Sequence, residues 1–272
     1  MASSPKLTVL LLAKDESARL PAFFKSLRGL GLPYRVLVLE HGSSDGTPAL
    51  ARRLGADVRR QPWEGYAQTK NRGIQACRTE WVLSLDADEN PDSDLCASVR
   101  RAVESPWAEA YELCRLNHFL GRPMRHGGWH PDWQLRLFRK GSARFNRRLV
   151  HEGMELTGPS AKAGRLSGQL LHFSYPSLNS YFERLNRYTG LQAAELFDVR
   201  GAKPEAALAR MLADPPLTFL KMALLKEGFL DGAEGLVLAA LSASSTFWKY
   251  AKWWHLSWKA LGGKAGRPWV ET

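Results

Sequence analysis

Two carboxylates one residue apart, Asp86 and Asp88, follow directly on the apolar run Trp81–Leu85 in the stretch W-V-L-S-L-D-A-D-E. Read as a strand running on into its own polar end, this stretch places both side chains on one side of an extended backbone. Two such carboxylates can hold one hard divalent cation, Mg²⁺ or Mn²⁺, that keeps its remaining positions for water and substrate phosphates. The chemistry indicated is metal-assisted work on a phosphorylated substrate. The competing reading is a polar strand end with no ligand, and the placement of the other acids decides between them.

Those acids recur at the ends of strand-like segments. Leu7 to Ala13 is an apolar strand followed by the polar loop Lys14-Asp15-Glu16-Ser17, and a helical pattern then runs from Arg19 to Leu30, ended by Gly31. Tyr34 to Glu40 is a second strand; after it H-G-S-S-D-G-T-P carries turn residues, with Pro48 placed to open a helix through Leu54. A short third strand, Ala56 to Arg60, and a helix over Tyr66 to Cys77 lead to the strand at Trp81. Strands that are continuously apolar and alternate with helices predict an α/β fold with a mostly parallel sheet flanked by helices. Ligands of such sheets bind beyond the carboxyl ends of the strands. Asp15-Glu16, Glu40 and Asp86-Asp88-Glu89 all fall at that edge, which makes a chance arrangement a poor explanation.

Composition narrows the class. A chain of 272 residues with 44% apolar content can bury a substantial core. Three cysteines, Cys77, Cys96 and Cys114, form no C-x-x-C pair, so a reducing cytoplasmic compartment is expected. The N-terminal apolar run is too short for a signal peptide. Lys and Arg exceed Asp and Glu by 38 to 27, a net +11, which suits an anionic partner. No zinc-finger, RNP or helix-turn-helix signature accompanies that charge, and nucleic acid is not the expected partner.

Several motifs together resemble glycosyltransferase family 2 enzymes with the GT-A fold. L-T-V-L-L-L-A-K-D-E looks like their first strand, V-L-V-L-E-H-G-S-S-D-G-T like their second strand and turn, and L-S-L-D-A-D-E like their metal-binding Asp-X-Asp. E-G-Y-A-Q-T-K-N-R-G, G-G-W-H-P-D-W-Q-L-R-L-F-R, L-V-H-E and R-L-N-R-Y are similar to the subgroup that contains lipopolysaccharide core β-glucosyltransferases. The resemblance implies an inverting transfer of a sugar, with UDP-glucose as the expected donor, to a lipopolysaccharide core or related envelope glycolipid. It implies donor contacts at Ala13, Asp15, Glu16, Glu40, Ser43, Lys70, Asp86, Ala87 and Asp88, with the metal at Asp86 and Asp88, where Asp88 is the main direct ligand and Asp86 lies near the ribose or binds through water. The family's usual Asp at the end of the second strand is here Glu40, one methylene longer. Arg136 and Arg139 offer phosphate contacts, but three residues apart in a strand they face opposite sides, so one reaches the site.

An inverting transfer needs a general base at the acceptor hydroxyl. By the resemblance Glu152 is the first choice, with His151 beside it. Asp132 is the second, in W-H-P-D-W, where Trp129 and Trp133 could stack on sugar faces. Past Gly168 the pattern turns helical, with His172 in a turn, Ser177 or Asn179 as cap of a helix to about Phe197, a break at Gly201–Pro204, and a second break at Asp214-Pro215-Pro216. In the last helix Phe247, Ala251, Trp254, Trp258 and Leu261 share a face, and Lys249, Lys252 and Lys259 share another, a polarity that fits an anionic membrane surface. The expected division is a catalytic domain over 1–170, with a nucleotide-sugar half over 1–90 and an acceptor half over 91–170, and a helical, membrane-peripheral extension over 171–272. The expected location is the cytoplasmic face of the inner membrane. A peptide or lipid-phosphate acceptor, or a binding or scaffold protein with a degenerate site, are the alternatives.

Overall fold

The computed structural model describes residues 4–146, 153–158 and 162–262. Its strands are β1 (Leu7–Ala13), β2 (Tyr34–Glu40), β3 (Asp57–Arg60), β4 (Trp81–Asp86), β5 (Glu89–Pro91), β6 (Ala110–Phe119), β7 (Arg122–Pro123), β8 (Asp132–Arg139), β9 (Ala143–Phe145), β10 (Met154–Leu156) and β11 (Ala163–Tyr175). Its α-helices are α1 (Leu20–Leu27), α2 (Thr47–Arg53), α3 (Tyr66–Ala76), α4 (Ser93–Glu104), α5 (Leu178–Arg200), α6 (Pro204–Leu220) and α7 (Gly232–Ala260). They form two compact units: one runs to His118 and takes in Pro131–Ser174, the other consists of Phe119–His130 and the chain from Tyr175 onward. The expected boundary at 170 therefore moves to 174, and a short stretch of the expected acceptor half belongs to the second unit. The cause is packing: Phe119 and Met124 are buried with Tyr181 and Leu238, and Trp129 and Tyr175 lie against them.

In the first unit the sheet order is β3-β2-β1-β4-β8-β6-β11-β5. The half made of β3, β2, β1 and β4 is parallel, as expected, whereas β8 joins β4 antiparallel and β5 joins β11 antiparallel, so the sheet is mixed. The period of two in β1 explains its unbroken apolar sequence. Leu7, Val9 and Leu11 enter one core layer with Phe23 and Leu27 of α1 and Val99 of α4, while Leu10 and Leu12 enter another with Ile74 of α3. Register then fixes the functional edge: Ala13 lies opposite Glu40, Leu12 opposite Asp86, and Glu40 opposite Arg60.

Beyond β4 the backbone leaves the extended form. Ala87 and Asp88 make a turn into β5, so the strand alternation that would align Asp86 with Asp88 does not extend to Asp88. β5 is anchored through Asp92, which caps α4 by accepting the Leu95 N–H at 2.7 Å and also accepts the Gln169 N–H at 3.0 Å. Close approach of β11 to this cap requires Gly168, at φ +93°, where a Cβ would lie 2.1 Å from the Leu95 nitrogen. His172 sits within β11, opposite Glu89, and not in a turn; L-L-H-F-S-Y is strand because its aromatic and apolar residues continue the sheet to Tyr175.

The second unit is helical. Ser177 caps α5 as expected, and Gly201 ends it. Pro215 and Pro216, expected to break the chain, lie inside α6. Two prolines there forgo two backbone hydrogen bonds, but the inner side of α6 is held by tertiary packing. Ala207 and Met211 pack with Tyr250 and Trp253 of α7, and the Thr218 hydroxyl donates to the Asp214 carbonyl at 2.9 Å. The helix then widens into a π turn over Lys221–Leu225. Among the described residues no helix is long and apolar enough to cross a membrane.

The expected faces of α7 are also shifted. In the C-terminal part of α7 Tyr250, Trp253 and Ser257 are the buried positions, and Trp254, packed against the same cluster, stacks on Trp258 at 6.3 Å. Lys252 donates to the Asn186 carbonyl at 2.6 Å and to the Thr189 hydroxyl at 2.8 Å, and Lys249 lies 4.4 Å from the Tyr250 ring centroid, so two of the three lysines assigned to a lipid-facing side are held within the unit. Gly168→Ala, which combines a left-handed backbone with a clash against backbone atoms, is expected to lower stability by roughly 2–4 kcal/mol, read from urea unfolding monitored by tryptophan fluorescence.

Candidate active site

The turns after β1 and β2 are stitched together by side chains. Asp15, in a left-handed conformation at φ 54°, donates its N–H to Ser43 Oγ at 3.2 Å and accepts the Ser44 N–H at 2.7 Å. Glu16 N–H donates to Thr47 Oγ1 at 2.8 Å, and Asp45 accepts from Ser17 N–H and from the Thr47 hydroxyl. Ala13 and Ala87 are buried. Glu40 is buried and its Oε1 accepts the N–H groups of Gly42 and Ser43. Burial works against its charge, yet those two donors hold its carboxyl below the usual range. Glu40 thus shapes the turn beside a cleft of about 420 Å³ lined by His41, Gly42, Arg60, Gln61, Pro62 and Trp63, with His41 stacked on Trp63 at 4.5 Å.

The carboxylates of β4 and β5 sit in a network of alternating charge. Lys70, delivered by α3 and nearly buried, donates to Asp86 Oδ1 at 2.6 Å. Arg136, from β8, donates to Glu89 Oε1 at 2.6 Å and approaches Asp86 Oδ2 at 3.4 Å. Glu89 is fully buried; its Oε2 accepts the Asp86 N–H at 3.1 Å. Desolvation opposes ionisation of Asp86, but Lys70 and Arg136 outweigh it and hold the carboxyl far below the ordinary range. Burial likewise opposes the Arg136 charge, and Glu89 and Asp86 more than offset it. As the strand alternation required, Arg136 alone of the arginine pair reaches this cluster, and Arg139 pairs instead with Glu80 at 3.1 Å.

Asp88 stands apart from these cations. Its Oδ2 lies 3.5 Å from Nε2 of His172, whose Nδ1 is 2.6 Å from Asn117 Oδ1. Asn117 Nδ2 donates to Asp132 Oδ2 at 3.1 Å, which turns its oxygen toward His172. Nδ1 of His172, which also lies 2.8 Å from the Ser174 hydroxyl, then donates to Asn117, and Nε2 is the ring nitrogen that faces the Asp88 carboxylate. Two acceptors aimed at one point form a donor set that suits a divalent ion. Among the described residues no three His, Cys, Asp or Glu side chains are grouped to hold a metal. An ion held by two protein ligands keeps its other positions for phosphate and water. Both Asp86 oxygens face the Lys70 and Arg136 cations.

Asp132, the second candidate base, has both oxygens occupied. Gln134 donates to Oδ1 at 2.6 Å, and Arg115 and Asn117 donate to Oδ2. Burial would raise its pKa, but Arg115, Gln134 and Asn117 lower it, which leaves a weak proton acceptor that orders its neighbours. Trp133 lies under the Arg165 guanidinium, 4.6 Å from its ring centroid. Trp129 belongs to the second unit, packed 6.0 Å from Tyr175. Glu152 and His151 lie outside the described residues. Sequence reasoning missed His172, Asn117 and Arg115. The period of two in L-N-H-F and L-H-F-S carried a signal for the first two, as alternate residues of adjacent strands.

Comparison with known proteins places this site in its class. The family model described as glycosyl transferase family 2 matches residues 8–156, and the chain belongs to that family. A lipopolysaccharide core biosynthesis glycosyltransferase, LpsC of Rhizobium meliloti, is 26% identical over 259 residues, covering 90% of this chain and 93% of its own. An uncharacterized glycosyltransferase of Rickettsia prowazekii is 26% identical over 94% of this chain and 89% of its own. A mannosyltransferase from Pyrobaculum calidifontis, solved in complex with GDP-Man and Mn²⁺, is similar at 17% identity, with a TM-score of 0.51 over 99% of this chain and 89% of its own. That likeness is one of fold, and the fold is GT-A.

Two outcomes are expected here. Arg136→Met, which strips the fully buried Glu89 of its closest cation, should cost about 3–5 kcal/mol in urea unfolding, and Arg136→Lys less. Because Glu40, Asp86 and Asp132 all titrate below their ordinary values, their stabilisation is complete above the unfolded pKa of about 4 and is lost as pH falls through the lower folded values. The urea midpoint should therefore decline below about pH 4, and less steeply in Asp132→Asn.

Proposed function

We propose that this family 2 glycosyltransferase is an inverting, metal-dependent enzyme that transfers a hexose, with UDP-glucose as donor, to a lipopolysaccharide core or similar envelope glycolipid at the cytoplasmic face of the inner membrane. The observation that carries the metal and donor assignment is the pair Asp88 and His172, whose acceptor atoms meet 3.5 Å apart beside the carboxyl ends of the parallel strands. The acceptor is supported by the likeness to LpsC over nearly the whole of both chains.

In this reading Asp88 and His172 hold Mg²⁺ or Mn²⁺, and the bound ion supplies Lewis-acid stabilisation of charge on the departing diphosphate. The protein's own groups do the rest. Asn117 fixes the His172 ring, and Asp132 fixes Asn117. Lys70 and Arg136 keep Asp86 ionised, so that it accepts hydrogen bonds from the donor without competing for a proton. The nucleobase takes the cleft beside His41 and Trp63, an aromatic pair suited to a flat ring. Glu152 accepts the proton of the attacking hydroxyl, as the family resemblance implies, and the donors that Asp132 already holds, Gln134 on Oδ1 and Arg115 and Asn117 on Oδ2, support this choice between the two candidates.

Turnover of a panel of nucleotide sugars with Mn²⁺ tests the reading. UDP-glucose should be preferred. Asp88→Ala and His172→Ala should each lose at least a hundredfold in kcat/KM, with a raised metal requirement for the histidine variant. Glu152→Gln should lose transfer while retaining donor binding. Full activity in Asp88→Ala would remove the metal-centred mechanism.

A further inference from the structure

The second unit carries an apolar surface that neither the site nor its own core uses. Leu208, Leu212, Leu217, Leu220 and Leu224 stand along α6 and its π turn, and all are exposed, at 44, 66, 62, 47 and 57%. Leu225 at 81% and Phe229 at 50% extend the row into the turn that leads to α7. Single exposed leucines are ordinary, but a row of this length on one element is a docking surface.

The turn that presents these residues is a built one. Gly127 N–H donates to the Lys226 carbonyl at 2.7 Å, and His126 binds Asp231 through its backbone N–H and through Nδ1, each at 2.8 Å. Gly235 packs so closely that a Cβ there would lie 1.9 Å from the Gly228 carbonyl oxygen. These contacts, all within the second unit, hold Leu225 and Phe229 outward in a fixed turn.

Charge identifies the occupant. Lys221 and Lys226 are exposed beside the row, Asp214 within it is paired with Arg210 at 3.4 Å, Glu227 is the other acid of the stretch, and the chain carries +11. A second copy of so basic a chain would be repelled, whereas an anionic lipid surface would be attracted. No described helix is long enough to span, which leaves adsorption in the plane of the interface. We propose that the outer side of α6, from Leu208 through Leu225 to Phe229, inserts into an anionic bilayer surface with Lys221 and Lys226 at the headgroup phosphates. This places the contact one helix earlier than the tryptophans of α7, and it goes beyond the catalytic reading without relying on its donor or metal.

The test is co-sedimentation of the full chain with vesicles of phosphatidylethanolamine and phosphatidylglycerol, and with phosphatidylcholine alone, at low and high salt. Binding is expected to the anionic vesicles, weakened by salt. Leu224→Glu/Leu225→Glu should reduce it at least tenfold with the thermal unfolding midpoint unchanged, and Lys221→Gln/Lys226→Gln should flatten the salt dependence. Trp254→Ser/Trp258→Ser should leave binding near that of the parent. Should the double glutamate variant prove unstable, Leu212→Ser/Leu220→Ser serves in its place. Equal vesicle binding by parent and leucine variants overturns the proposal, as does a concentration-dependent dimer of the parent that the leucine variants abolish. Since vesicle binding is read without substrate, it can fail while glycosyl transfer stands, and the reverse.

Discussion

A fully buried carboxylate, Glu89, is the constraint around which the site is organised. An isolated charge there would be untenable, and its neutralisation fixes where β8 and β6 present Arg136 and Arg115. The same arginines reach Asp86 and Asp132, and Lys70 completes a set of three cations against three anions. Loss of Arg136 leaves Glu89, fully buried, with Arg115 alone at 3.4 Å. The cluster ties the polar ends of β4 and β5 to α3, β6 and β8.

That internal neutrality changes the meaning of the Asp-X-Asp pattern. Asp86 meets the protein cations Lys70 and Arg136, and Asp88, carried by the turn that follows, faces His172. The two acids that are neighbours in sequence thus meet different partners. The ring of His172 is in turn oriented through Asn117 and Asp132, so a residue with the look of a catalytic acid acts as the far end of a positioning chain.

Edge chemistry of this kind depends on the sheet below it. β1 is buried on both faces, and its register with β2 and β4 brings Ala13, Glu40 and Asp86 to one level. The loops above are joined by side chains of Asp15, Ser43, Asp45 and Thr47, so the carboxyl edge is stiff where a diphosphate would meet it. The helical unit follows other rules. Its interior is built from small residues and aromatics such as Ala193, Ala207, Tyr250 and Trp253, and helix packing there carries α6 through two prolines that local propensity would have used as a stop.

Much of the first half of the chain was legible in sequence because its strands are short, apolar and punctuated by Gly, Pro and acidic turns. β1, β2, β4, α2 and α3 fall within a residue or two of where the pattern put them, as do the carboxylates at their ends, and α1 stops at Leu27 with a 3₁₀ turn completing the expected helix to Leu30. The second half was read less well. Pro215 and Pro216 were misread because a contact with α7, distant in sequence, outweighs the local cost of a missing hydrogen bond, and the buried side of α7 differs from the aromatic one because neighbours α5 and α6 select it. By itself the sequence determined the alternation of strand and helix, the edge at which acids collect and the family, since these follow from local pattern and motif. Only the tertiary structure decided which acids are paired, that His172 and Asn117 enter the site from separate strands, and which leucines stay exposed. Those facts depend on side chains brought together from far along the chain, and no local pattern records which partner a charge will meet.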